Sequence, residues 1–243
     1  MIRRLILLPR HMRGSSRPLI RDRGQIADLL GGALRRHGCN PNSDAHPARW
    51  GFGVVARRLK SATPRLYSIE AIHLGSSDER IAAAIARIEP SDLILDAAMP
   101  GWELDCRSAT VRDYTLLPDG IEALNLYCVS PIRLTRRLAD GQHEDVTELS
   151  ADLNQLINRT MERRFARPFD LQLLPDRLYL RGRSNVSAGF AIKSDDRGRA
   201  VVKRGIVLPF TLVGSHADLE HAWYSGLGRT TGLGFGMLEM AHE

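Results

Sequence analysis

Lysine is almost missing from this chain of 243 residues: Lys60, Lys193 and Lys203 stand beside 31 arginines. Cysteine is scarce too. Cys39, Cys106 and Cys128 are odd in number and far apart, which excludes a CxxC zinc knuckle or a disulfide framework and suits a reducing cytoplasm. Aromatic residues are 6% of the total, too few for extended stacking on single-stranded bases. No apolar run approaches the roughly 18 residues of a membrane span. The Ile2–Leu8 stretch is too short for a signal peptide and reads as a buried strand. HExxH and paired carboxylates are also missing.

What is present is positive charge on a chain able to fold. Hydrophobic residues make up 43%, the net charge is +6 and the pI is about 9.6. The first 37 residues hold nine arginines against Asp22 and Asp28, so the charge sits mainly at one end. Arginine grips phosphate through a planar two-bond fork, and the pattern points to a nucleic-acid partner.

Periodicity organises the chain into two similar units. A first strand is followed by an arginine-rich loop over residues 9–23 and a helix over 25–37. Strands follow over 51–59 and 66–74, then a helix over 78–88 and β-rich sequence to 117. From 119 the spacing predicts a strand over 123–134, a helix over 146–165, strands over 177–183, 188–193 and 205–213, a helix over 216–225 and a last strand over 235–240. Strand–helix–strand–strand–helix–strand is the ferredoxin-like order. The expected class is α+β, with tandem ferredoxin-like (RRM-like) domains at 1–118 and 119–243 and an arginine-rich N-terminal insertion.

The tail Gly226-Leu-Gly-Arg-Thr-Thr-Gly-Leu-Gly-Phe-Gly236 holds five glycines in eleven residues. A dinucleotide fingerprint would need Gly at 231, which is Thr, and a P-loop would need a Lys after 203, where there is none. The remaining readings are a structural crossing or a cradle of backbone N–H groups for phosphate.

The spacing Gly226-x-Gly228-x5-Gly234-x-Gly236 resembles the C-terminal motif of the CRISPR-associated repeat-processing endoribonucleases, in the repeat-associated mysterious protein (RAMP) superfamily. Val129-Ser-Pro-Ile132 and Lys203–Gly214 resemble further family segments. The long arginine-rich entry loop suggests a divergent member, such as those of type IV systems. The resemblance implies cleavage of CRISPR repeat hairpins without a metal or other cofactor. The 2′-OH attacks the scissile phosphate, a 2′,3′-cyclic phosphate forms, and the hairpin product is retained. It also implies repeat RNA and other subunits of a CRISPR complex as partners.

On this resemblance His37 is the first choice for proton transfer, with His11 behind it, and Arg23, Arg35 and Arg36 for stabilising transition-state charge. RNA contacts are expected from Arg10, Arg13, Arg17 and Arg21 in the entry loop and from Arg159, Arg163, Arg164 and Arg167 at the end of the long helix. Gly226, Gly228, Arg229, Gly234 and Gly236 are expected to hold phosphate. A non-catalytic RNA-binding subunit of the same superfamily stays open as an alternative, as does a basic α/β protein whose glycines are structural.

Overall fold

The computed structural model describes residues 1–8, 19–20, 23–41, 48–58, 67–95, 104–114, 116–183, 185–195 and 199–241. Arg10, His11, Arg13, Arg17 and Arg21 lie outside the described residues.

The first half contains β1 (Ile2–Leu7), α1 (Gly24–Arg36), β2 (Trp50–Arg58), β3 (Tyr67–Ser76), α2 (Glu79–Ala86) and β4 (Thr110–Asp113). The strands form an antiparallel sheet in the order β4-β1-β3-β2, with Ile6 facing Ile72 and Val111. Ile26, Ala27, Leu30, Ala33 and Leu34 recur at helical spacing on the buried face of α1, and Ile81, Ala84 and Ile85 on that of α2. With Ile6, Phe52, Ile72 and Leu74 they form one hydrophobic core. Asp78 starts α2 by accepting the N–H groups of Arg80 and Ile81.

The second half repeats the plan. It contains β5 (Ala123–Cys128), α3 (Leu153–Phe165), β6 (Gln172–Pro175), α4 (Arg177–Gly182), β7 (Ser187–Ser194), β8 (Ala200–Ile206), β9 (Pro209–Val213), α5 (His216–Ser225) and β10 (Leu238–Met240). The sheet order is β10-β5-β9-β6, equivalent to that of the first sheet. Leu124, Leu126, Ile157, Met161, Leu212 and Trp223 belong to the second core. The chain is thus α+β with tandem ferredoxin-like folds.

Several expected elements differ. The long helix begins at 153, not 146. Residues 143–145 pair with 135–137 instead, and the Val146 N–H donates to the Leu134 carbonyl. Residues 177–182 are helical because Asp176 accepts the Leu178 and Tyr179 N–H groups; the edge strand is the preceding Gln172–Pro175. The expected strand 205–213 is two strands: Ile206 ends the β7–β8 hairpin, and Pro209 opens a strand of the main sheet. The last strand starts at 238, since the Gly236 and Met237 N–H groups donate to the Pro131 carbonyl and Ser130 Oγ.

The two halves close on glycine. A Cβ on Gly51 would lie 2.6 Å from the Ser225 carbonyl oxygen, and one on Gly53 2.7 Å from Met237 Cβ. Beside this contact Arg3 is fully buried. It donates to the carbonyls of Trp223 and Leu238, and its guanidinium carbon lies 3.6 Å from the Trp223 ring centroid. Burial lowers its pKa to about 10, although Glu239, 3.8 Å away, favours the charged form. Tyr114 donates to Glu239. His73 sits in the same cluster, its pKa pushed down to about 3 by burial and by Arg3.

Candidate functional site

His37 caps the C-terminus of α1, where the amphipathic pattern ends and Gly38 turns the chain with φ +78°. Its Nε2 lies 2.8 Å from Asp92 Oδ2. Asp92 is fixed in turn, because the same Oδ2 accepts the Glu89 N–H at 2.9 Å. Partial burial alone would raise the Asp92 pKa; the hydrogen bonds from His37 and Glu89 outweigh it and hold the carboxyl below its ordinary value. Arg36 donates to the Asp92 carbonyl at 2.6 Å, and Arg87 to the His37 carbonyl at 3.1 Å. Arg35 is exposed on the same turn. Together these groups make a half-buried imidazole with Nε2 committed to a carboxylate, and the Arg36 and Arg87 guanidinium groups bond the carbonyls of the pair.

Arg23 does not join them. It stands at the N-terminus of α1, fourteen residues and about 21 Å from His37 by helical rise. There it donates to the Gly234 carbonyl at 3.1 Å and stacks on Phe190, 3.8 Å from the ring centroid. The grouping of His37, Arg23, Arg35 and Arg36 around one phosphate is therefore corrected: a rigid helix keeps Arg23 away from the other three.

The glycine-rich segment is an internal crossing. Gly226, Gly228, Gly234 and Gly236 are all buried. Gly228 and Gly236 have φ +88° and +69°; a Cβ on Gly228 would come 2.6 Å from the Arg133 carbonyl oxygen, and one on Gly236 would overlap the Leu227 carbonyl. The Gly234 and Gly236 N–H groups donate to the Thr231 and Pro131 carbonyls. These two N–H groups are spent inside the protein, which corrects their expected use as phosphate donors.

Arg164 also departs from its expected role. Only 2% exposed, it donates from Nε to the Ala48 carbonyl (3.0 Å), from Nη1 to Gly226 (2.7 Å) and Gly228 (3.2 Å), and from Nη2 to Ser225 (2.9 Å) and Thr231 Oγ1 (3.1 Å). Burial pushes its pKa down to about 9. Its fork ties the glycine segment to the first half of the chain and is closed to RNA. Arg167 is partly committed, with Nη2 2.7 Å from Asp218 Oδ1 and its guanidinium over Phe169.

Arg159 and Arg163 are exposed and make no hydrogen bond or ion pair among the described residues. Arg163 and Arg229 border a cavity of about 340 Å³ between α1, α3 and the glycine segment, with Trp50 and Leu233 among its apolar lining. Arg229 donates to Thr135 Oγ1, and its backbone N–H to the Arg133 carbonyl. Burial, then the neighbouring Arg133 and Arg163, lower its pKa. Asp92 and Trp50 escaped the sequence reading. Neither stands near its partners in sequence, and no local pattern marks them. Among the described residues no His, Cys, Asp and Glu side chains gather three together as a metal-binding group, and no described helix is long and apolar enough to cross a membrane.

No curated protein sequence is significantly similar to the chain. Solved structures are similar in fold. One, described as "An RAMP protein binding different RNA substrates", superposes with a TM-score of 0.66 at 17% identity, covering 100% of both chains. The product of a Cas6-related gene from Pyrococcus furiosus gives 0.66 at 16% identity over 100% of this chain and 99% of that one. A CRISPR associated protein Cas6 gives 0.61 at 17% identity over 99% of each. The family model for CRISPR associated protein Cas6, C-terminal, matches residues 119–240, half of the chain and the whole of the second ferredoxin-like sheet, so this chain belongs to the Cas6 family.

Proposed function

We propose that this chain is an endoribonuclease that cuts repeat hairpins in CRISPR precursor RNA, without a metal, and keeps the hairpin it has cut. Residues 1–118 supply the cleaving group and 119–243 most of the grip. The observation that carries the reading is the His37–Asp92 pair among exposed arginines, on the fold of a family of CRISPR proteins. With Nε2–H donated to Asp92, His37 presents the lone pair of Nδ1. That atom takes the 2′-OH proton as O2′ bonds to phosphorus and the P–O5′ bond breaks. The leaving O5′ collects a proton from solvent, and Arg35 and Arg36 stabilise the added negative charge on the phosphorane-like centre. The products are a 2′,3′-cyclic phosphate and a 5′-OH. Arg159, Arg163 and Arg229 hold phosphates of the RNA by charge.

The test is single-turnover incubation with repeat RNA in EDTA. The expected result is cleavage to a cyclic-phosphate end, slowed at least about tenfold in His37→Ala, or roughly 1.4 kcal/mol of barrier. An unchanged rate in that variant refutes the assignment of His37. The separation of Arg23 from His37 favours a second reading, a non-catalytic subunit that holds guide RNA within a CRISPR complex; tight, salt-sensitive binding without any cleavage is its signature.

A further inference from the structure

The cavity between α1, α3 and the glycine segment has two chemically different ends. Ala27, Ala48, Trp50 and Leu233 supply apolar surface; Arg163 and Arg229 supply positive charge. Trp50 is 2% exposed, and its indole Nε1–H has no acceptor among the described residues. Gly232 lies against the Trp50 ring. A Cβ there would come 3.3 Å from Trp50 Cε2 and from Ala48 Cβ, so the bare backbone helps to keep the space open. Thr160 and Thr230 add hydroxyl groups, and Asp28 adds an acceptor for N–H groups on a base edge. Arg164 contributes to the wall but is saturated by protein acceptors, which leaves Arg163 as the cation with no partner among the described residues.

The geometry points to a binding site for one unstacked nucleotide of an RNA strand, its base in the Trp50–Leu233 end and its phosphate between Arg163 and Arg229. This rests on the RNA-processing reading and adds to it a subsite distinct from the His37–Asp92 centre. The volume of about 340 Å³ is at the lower end of small-ligand sites and closed to a base pair. A stem can supply phosphates to exposed arginines, but only an unpaired base can leave its stack to enter a cavity of this kind. The arginine pair also has a reason to want an anion: Arg163 is among the cations that lower the pKa of Arg229, and a phosphate between them relieves that repulsion. Asp28 favours a base that presents N–H donors, and guanine presents the most on one edge.

The probe is guanosine 5′-monophosphate, titrated into 15N-labelled full-length protein while the Trp50 indole N–H resonance, assigned with Trp50→Phe, is followed. The nucleotide is expected to shift that resonance at concentrations where inorganic phosphate or guanosine alone does little. Arg163→Ala, at an exposed position, weakens the effect at least about tenfold, and Ala27→Leu, which fills the cavity, abolishes it. A resonance that does not move, or moves equally in folded Ala27→Leu, overturns the site. A second arm uses a repeat hairpin with a single-stranded tail carrying an abasic sugar at successive positions. One position is expected to weaken wild-type binding about tenfold and to have no such effect in Ala27→Leu. A mononucleotide shift with no sensitive tail position overturns the assignment to an RNA strand and leaves a site for a free nucleotide. If the wild type cleaves the hairpin and neither arm responds, the inference fails and the RNA-processing reading stands. If the wild type neither binds nor cuts repeat RNA, that reading fails and takes the assignment to RNA with it.

Discussion

Arg163 and Arg164 are neighbours in sequence with opposite environments, and replacing each in turn separates structural from RNA-binding arginine. Arg164→Met keeps the length of the side chain and removes the fork. Four carbonyls, of Ala48, Ser225, Gly226 and Gly228, then lose a donor inside the protein. Each stranded acceptor costs about 1–3 kcal/mol, a gross loss of about 4–12 kcal/mol. Against this stands relief from burying a cation, a penalty of several kcal/mol that also underlies the lowered pKa of about 9. The expected net loss is about 3–5 kcal/mol, a large part of the ~5–15 kcal/mol that holds a typical protein folded. Urea unfolding followed by tryptophan fluorescence and by circular dichroism measures it, with the m-value as the check that the same surface is exposed. Arg164→Lys is expected to lose nearly as much, because a single ammonium cannot span acceptors arranged for a planar fork. Arg163→Ala leaves stability within about 0.5 kcal/mol. It lowers RNA affinity and flattens the slope of log K against log salt by about 0.7–0.9, one phosphate contact. A loss below about 1 kcal/mol in Arg164→Met, or reduced RNA affinity in that variant at unchanged stability, refutes the structural role.

Three further outcomes follow from the same geometry. Gly236→Ala places a Cβ against the Leu227 carbonyl at φ +69° and is expected to destabilise by more than about 2 kcal/mol or to fail to fold; a soluble variant with wild-type unfolding midpoint refutes the close crossing. His73 and His221 have folded pKa values pushed down to about 3 and about 4, chiefly by burial. Their folded values lie below the unfolded value near 6.5, so the unfolded state takes up the protons and stability falls as pH drops from about 6.5 towards 4. Urea midpoints at pH 7 and pH 5 check the sign, and a midpoint that rises on acidification contradicts it. Asp92→Ala releases the His37 ring and is expected to slow single-turnover cleavage about tenfold with hairpin affinity unchanged; equal rates refute the pairing as a catalytic device.

What could be read from the sequence was whatever local physics decides. Ile26, Leu30, Ala33 and Leu34 mark α1 by their spacing, and Ser215 accepting the Asp218 N–H starts α5 where the pattern places it. The misreadings occur where a distant strand or a single cap outbids the periodicity. Residues 146–152 carry helix-compatible spacing, yet Val146 is drawn into the core beside Leu134. Residues 177–182 carry alternating apolar side chains, yet a single Asp176 cap makes them helical. His37 could be nominated by its residue type, whereas Asp92 lies 55 residues away and no spacing reveals it. Arg164 was open to a better reading. It falls three residues after Met161 and seven after Ile157, on the apolar stripe of α3, and a charge on that stripe is a buried one.

The glycine segment acts on RNA recognition indirectly. Its backbone must cross close to Arg133, Leu227 and the Trp50 ring, and these contacts leave no room for side chains. Arg164 holds the crossing from below through the Ser225, Gly226 and Gly228 carbonyls, while its Nε bonds Ala48 in the first half of the chain. Closing the two halves in this way brings Arg229, Thr230 and Gly232 of the segment opposite Ala27 and Asp28 of α1 and Thr160 and Arg163 of α3. None of these elements forms the cavity by itself. A substitution that loosens the crossing must therefore open the cavity and weaken the docking of the halves together. Gly228→Ala tests this coupling: its loss in unfolding free energy and its loss in nucleotide affinity are expected to appear together, and a variant that loses one while keeping the other separates the crossing from the site.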